Sequence, residues 1–367
     1  MMIGKRFSIN VMMFGGRRSG KTSILAAMKE CVDNVFNDER KLGLSISSAD
    51  FDTMTALENK SQELREYYDA KKKFKPFTPD DNPTMVRQEY QFDIQLVDKP
   101  NAKLRMNFTD YPGEWLDDAQ KFEELKDIME TSDIIMIAID SPYLMENPSG
   151  GEEVGLYNER KNYSSRIADM VKEHFLVESG SERKKMILFV PLKCEKYYKH
   201  IESKEEIERL NTYVKRAYGK LLDFVTQGEN RGRYECAITP IFTLGNVSFT
   251  RFDEDEQGNY IINPGKKYPS VPLYRFDPGA EKPDPKYCEQ PLLYALVFLL
   301  KWSEQSRSRN QGMIGALLFK VDNLASKFLK FPNADDFAER SEYLRSKLKK
   351  EGDGFEIIND PLKFRGV

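Results

Sequence analysis

The stretch FGGRRSGKTSILAAM, residues 14–28, constrains the fold more than any other. Gly15, Gly20, Lys21 and Thr22 satisfy the spacing G-x-x-x-x-G-K-[ST]. Glycines at those positions let the main chain curl, so that successive N–H groups point at one phosphate chain. Lys21 then reaches the β- and γ-phosphates, and the Thr22 hydroxyl is a magnesium ligand. Gly16, Arg17, Arg18 and Ser19 complete the loop, and Ser23 follows it into a helix whose positive dipole end adds to the anion site. The plain rival is a glycine-rich turn that caps a helix. Context favours the phosphate loop, because FSINVMMFG (7–15) reads as a buried strand and KTSILAAMKECVDNVF (21–36) as a helix.

A loop of that kind belongs in a parallel α/β sheet, and the rest of the chain supplies one. LGLSIS (42–47) suits a short strand and LENKSQELREYYDAKKKF (57–74) a charged helix. VRQEYQFDIQLV (86–97) and KLRMNFTD (103–110) form a hairpin across DKPNA, after a proline-rich loop at 75–84. DIIMIAID (133–140) and KKMILFVPLK (184–193) are continuous apolar runs of central strands covered on both faces. Helices are expected over 118–132, within 156–178, over 204–225 and over 289–302, with a further strand at 236–245. Strand and helix alternate, so the fold class is α/β: a P-loop NTPase with a mostly parallel sheet, one antiparallel hairpin strand and helices on both faces.

The expected boundaries are a domain over 1–305, with insertions near 37–75 and 246–287, and a helical extension over 306–367. The second insertion is polar, with a small hairpin around YIINPG. In the extension, Ile314, Leu317, Leu318, Val321, Leu324 and Phe328 recur at helical spacing. They suit a helix packed on the core, or else one lying on a membrane surface or a partner.

Composition narrows the chemistry. A formal net charge of −3 argues against a globally basic nucleic-acid binder. Only two histidines are present, and the four cysteines form no C-x-x-C pair, so zinc and histidine-based catalysis are poorly supplied. The start MMIGKRFSIN has no signal-peptide pattern, and the apolar run LLYALVFLL (292–300) is too short to span a bilayer. The expectation is a cytoplasmic protein with reduced thiols.

FTDYPGEW (108–115) places Asp110 at the end of a strand and Gly113 three residues later. A carboxylate there can hold Mg²⁺, and a glycine N–H can sense a γ-phosphate; the alternative for Asp110 is a helix cap. With the loop, the hairpin and this D-x-x-G, the chain resembles the translation-factor-related and Ras-like GTPases. Within them, GGRRSGKTSILAAM and DYPGEW are similar to the bacterial YcjX-like and double-GTPase proteins, the latter proposed components of bacterial conflict systems. The likeness covers roughly residues 5–302 in outline and is specific only at the phosphate loop and at 108–115.

The resemblance implies GTP and Mg²⁺ as ligands and a threonine ahead of the hairpin that closes on the metal. Thr84 fits this place better than Thr78. Guanine is read in such proteins by an N/T-K-x-D motif; here PLKCEKY offers Lys193 and Glu195, with Leu192 in the polar position. A carboxylate there favours GTP over ATP, unless the pair is only an exposed charged loop. Glu114 stands where a water-orienting glutamine is usual, and it either accepts a hydrogen bond from that water or caps the next helix. Arg17 or Arg18 is a cis arginine finger, a contact for a protein partner, or a clasp over the phosphates. The expected function is a slow GTPase switch whose loops at 75–84 and 111–117 address a protein partner. Its rivals are an ATPase on the same loop and a nucleotide-binding scaffold with little hydrolysis.

Overall fold

The computed structural model describes residues 7–37, 44–71, 86–96, 99–147, 154–155, 157–178, 184–198, 204–262, 268–269, 271–280, 282–309 and 354–361. The chain begins with β1 (Phe7–Phe14), α1 (Lys21–Asn37), β2 (Leu44–Ser48), α2 (Phe51–Lys71), β3 (Gln88–Leu96) and β4 (Lys99–Asp110). After a 3₁₀ turn at Gly113–Asp117 come α3 (Phe122–Thr131), β5 (Ile134–Asp140), α4 (Ser141–Met145), α5 (Asn158–Asn162), α6 (Ser164–His174) and β6 (Lys185–Leu192). Then follow α7 (Lys204–Ala217), α8 (Gly219–Thr226), β7 (Tyr234–Ile238), β8 (Val247–Phe252), β9 (Pro272–Phe276), α9 (Gln290–Arg309) and β10 (Glu356–Asn359).

Eight strands form one sheet in the order β10-β7-β6-β5-β1-β4-β3-β2. β1 pairs in parallel with both β4 and β5, and β5, β6 and β7 continue the parallel run. β3 and β2 at one edge and β10 at the other are antiparallel. The side-chain period of two divides the core. Ile9, Val11 and Met13 of β1 face α1 and α9, while Met12 and Phe14 face α3 and α6. β5 and β6 are buried at every position, which is why both read as uninterrupted apolar runs.

Register places the chemistry. Met13 of β1 is opposite Asp110, and Asp140 is opposite Leu192. The carboxyl ends of β1, β4, β5 and β6 therefore open on one sheet edge. β1 leads to α1 on one face, while β4 leads to α3 on the other. An α/β sheet holds its ligand in the crevice where the chain divides in this way.

Three expectations change in the structure. The helix over 204–225 breaks at Tyr218, whose φ of −107° and ψ of 21° leave the helical region. The Tyr218 ring is fully buried 5.0 Å from Phe189, and Gly219 opens α8. Burying a large aromatic side chain outweighs helical continuity at one residue. The strand at 236–245 ends at Ile238, although Thr239 and Ile241 still donate main-chain hydrogen bonds to Phe189 and Pro191. The second insertion carries a longer hairpin than YIINPG suggested: β8 pairs with β9, and Val247, Phe249, Phe252, Tyr274 and Phe276 pack with Tyr143 and Tyr268.

The helical spacing over 314–328 and both Thr78 and Thr84 lie outside the described residues. What is described of the extension is the end of α9, to Arg309, and a strand, since β10 adds to β7. It is tied by a buried charge cluster. Lys301 of α9, 1% exposed, lies 2.9 Å from Glu235 and 3.0 Å from Asp360. Burial raises the Glu235 pKa, against the pull of Lys301. Removing one member of such a cluster leaves a buried charge uncompensated. Lys301→Met is expected to cost about 3–5 kcal/mol in urea unfolding, and adding Glu235→Leu should recover part of that loss.

Candidate functional site

The loop between β1 and α1 departs from ordinary backbone at three positions. Gly15 (φ 151°) and Gly20 (φ 105°) take conformations that a side chain resists, and Arg18 (φ 56°) is left-handed without being glycine. Lys21 turns back into the loop, donating to the Gly15 carbonyl at 3.1 Å and lying 3.8 Å from Asp110 Oδ1. It is 5% exposed. Desolvation holds its pKa below the usual lysine value, with Asp110 and then Glu114 pulling the other way. The Thr22 hydroxyl donates to Asp110 Oδ2 at 2.5 Å across 88 residues of sequence. Ser19 is buried, and its hydroxyl has no hydrogen-bond partner among the described residues. Ser23 lies half-buried in the first turn of α1.

Gly113 rests directly on the loop. A Cβ added to it would stand 2.1 Å from the Arg17 nitrogen and 2.3 Å from the Gly16 carbonyl carbon. Only glycine allows that approach, so the D-x-x-G segment and the phosphate loop form one packed unit. Arg17 and Glu114 pair with one another, Nε to Oε1, at 2.8 Å. Both are about one-third exposed, and the pair lies at the mouth of the loop. Trp115 stacks on Tyr111 with ring centroids 6.1 Å apart and carries Lys121 over its face.

Lys193 is also left-handed, at φ 56°. Its ammonium donates to the Arg18 carbonyl at 2.8 Å and to Asp140 Oδ2 at 2.6 Å. Glu195 opens the 3₁₀ turn Glu195–Tyr197 and is 3% exposed, so it is buried and not part of an exposed charged loop. The structure thus gathers Gly15 to Thr22, Asp110, Gly113, Glu114 and Lys193 around one loop, with Glu195 two residues beyond.

Four residues at this place were not among the expected site residues. Asp140 ends β5 at 0% exposure, and Asn162 holds its main chain through two hydrogen bonds, 2.9 and 3.2 Å. Lys161 of α5 donates to the Arg17 carbonyl at 2.9 Å. Its own carbonyl lies where a Gly16 side chain would be, 2.3 Å from a built Cβ. Tyr163, left-handed at φ 54°, donates to Asp117 at 2.5 Å and so joins α5 to the turn after Gly113. The one available signal was the aspartate closing DIIMIAID, which ends its strand as Asp110 ends the strand beside β1. Lys161 sits in a segment legible only as helix. Among the described residues no group of three or more His, Cys, Asp or Glu side chains could hold a metal, and no helix is long and apolar enough to cross a membrane. Gly113→Ala is expected to lower Tm by several degrees and shift Trp115 emission to the red, read in a Trp302→Phe background. Gly232→Ala, whose added Cβ meets nothing within 4 Å, should stay within about 0.5 kcal/mol of the parent.

The sequence model of the Double-GTPase 2 family matches residues 9–229. No curated protein matches. Among solved structures, a similar one is the S. cerevisiae Ski7 GTPase-like domain bound to GDP and inorganic phosphate, at 13% identity and a TM-score of 0.32, covering 85% of this chain and 52% of that one. The same domain bound to GTP is 12% identical with a TM-score of 0.32, covering 79% of this chain and 50% of that one. This chain therefore spans about half the length of those structures. The family match takes in the phosphate loop, Asp110, Gly113, Lys161 and Lys193, and it extends over more than half of the sequence: the chain belongs to the Double-GTPase 2 family.

Proposed function

We propose that the protein is a Mg²⁺-dependent GTPase switch, which binds GTP at the loop 15–22 and reports its γ-phosphate to a protein partner through the segments near 75–84 and 111–117. The observation that carries this reading is the 2.5 Å contact of Thr22 with Asp110, beside the Lys21 ammonium. A hydroxyl and a carboxylate are hard oxygen donors, and Mg²⁺ takes few protein ligands, leaving its other positions to phosphates and water. The pair fits that ion, with Thr84 as the expected third protein oxygen. Bound there, the metal would supply charge neutralisation at the β- and γ-phosphates.

The protein groups divide the remaining work. Lys21 is desolvated before ligand arrives, an effect that Asp110 opposes only in part, so an incoming triphosphate adds counter-charge to it. The loop amides and the N–H groups at the start of α1 would donate hydrogen bonds to the phosphate oxygens. Gly113 lies against the loop, where its N–H can meet a γ-phosphate and move with it. Arg17 and Glu114 hold each other in this structure, so neither acts on phosphate or water until the pair opens. A γ-phosphate competes with Glu114 for Arg17. An Arg17 released towards the phosphates also frees Glu114 to orient the attacking water.

Lys21→Met is expected to weaken GTP binding by at least about 100-fold, read by calorimetry. Arg17→Ala and Glu114→Ala should each lower kcat by about 10²-fold or more while leaving the GTP dissociation constant within a few-fold. The double variant should lose less than the product of the two, as expected for groups that act together. Unchanged turnover in both single variants would remove the pair from the mechanism, whereas negligible phosphate release by the parent would leave a nucleotide-binding scaffold. For base choice, the parent should bind GTP more tightly than ATP, and Glu195→Ala should narrow that difference in side-by-side titrations.

A further inference from the structure

We infer that Lys161 is a positioning residue of the nucleotide site: with Lys193 it ties two consecutive carbonyls of the phosphate loop to the single carboxylate of Asp140, and so fixes where the loop's amides point. The inference rests on the GTP-binding reading above and adds a residue from outside the loop and the nucleotide motifs.

The two lysines work on neighbouring peptide groups. Lys161 holds the Arg17 carbonyl at 2.9 Å and Lys193 the Arg18 carbonyl at 2.8 Å. A peptide unit is planar and trans, so its N–H points opposite its C=O. Holding the Arg17 carbonyl therefore aims the Arg18 N–H, and holding the Arg18 carbonyl aims the Ser19 N–H. Asp140 unites them, with Oδ2 at 2.6 Å from Lys193 and 3.9 Å from Lys161. Asp140 is itself immobilised by Asn162, one residue after Lys161. The left-handed backbone at Arg18 and at Lys193 is strain that such anchoring can hold in place.

Lys161 is also built into its position from above. Its ammonium lies 5.0 Å from the Tyr143 ring centroid and 5.3 Å from that of Tyr268, and the residue is 6% exposed. Tyr143 in turn donates to the Pro269 carbonyl at 2.6 Å. The aromatic insertion thus closes over the clamp, and the charge of Lys161 sits in a shielded place. The charged groups facing it are Asp140 from β5, Lys193 beyond β6, and Arg18 and Lys21 from the loop. Burial, opposed by Asp140 and reinforced by the three cations, pushes its pKa down to about 7.

This sets a sign for pH dependence. A bound di- or triphosphate adds negative charge nearby and raises the Lys161 pKa, so binding takes up protons. The contribution of Lys161 to affinity is complete below about pH 7 and is lost as pH rises through the higher, ligand-bound pKa. The test is calorimetric titration of the full chain with Mg²⁺–GDP between pH 7 and 9, in buffers of differing ionisation heat. The parent should take up a fraction of a proton and lose affinity as pH rises. Lys161→Met should bind about ten- to a hundredfold more weakly at pH 7, with less proton uptake than the parent, since the desolvated Lys21 remains, and a flatter pH profile. A thermal melt of Lys161→Met reports its folding, and the difference in proton uptake between parent and variant separates Lys161 from Lys21. Parent binding without proton uptake, or an unchanged affinity in folded Lys161→Met, overturns the role of Lys161 alone. No Mg²⁺–GDP or Mg²⁺–GTP binding by the parent overturns the nucleotide reading and this inference together.

Discussion

The in-register parallel pairing of β1 with β4 and β5 is the constraint on which the rest of the structure depends. Main-chain hydrogen bonds along β1 set Met13 beside Asp110 and beside Met136. Once that register is fixed, Asp110 must emerge next to the first turn of α1, and Asp140 must emerge behind the phosphate loop. A slip of one residue would turn every side chain of β1 to the other face and move both carboxylates away from the loop. Such a slip is opposed by the two separate cores, one on each face, into which alternate residues of β1 insert. Hydrophobic burial far from the loop thereby sets the geometry of a polar site.

At the site itself, close contact and charge act together. The loop is packed on its sides by glycine contacts, Gly16 against Lys161 and Gly113 against Arg17. Behind these contacts stand two lysines and a carboxylate, and at the mouth an arginine and a glutamate. Lys161 and Asp140 are buried, Lys193 is partly exposed, and the mouth pair is more solvated still. For the buried members a lost partner is costly. The Arg17–Glu114 pair, about one-third exposed, is cheaper to open.

The second insertion links the two. Its hairpin carries an aromatic cluster that reaches Tyr143 of α4, just after β5, and covers Lys161. Tyr163 connects the same neighbourhood to Asp117, at the end of the turn that follows Gly113. A chain of contacts therefore runs from the insertion through α5 to the D-x-x-G segment. The alternation of V-S-F-T-R-F and P-L-Y-R-F marks the strands of this hairpin, but the surrounding prolines, glycines and aspartates made the region read as a polar insertion with only a small hairpin around YIINPG.

Local sequence determined the phosphate loop, the strand and helix alternation and the aspartate that closes β4. Each depends on residues close together in the chain: glycines where the backbone must curl, apolar runs where strands are buried, a carboxylate at a strand end. The fold class follows from these, as does membership of a P-loop family. What joins Lys161 to the Arg17 carbonyl, Arg17 to Glu114 and β10 to β7 is separated by 144, 97 and about 120 residues, and no short-range pattern encodes it. Lys161 looks like any helical lysine until the sheet sets α5 against Gly16, and residues 356–359 form a strand only because β7 offers an open edge. Tertiary packing decided these features, because burial and electrostatic partnership are properties of neighbours in space.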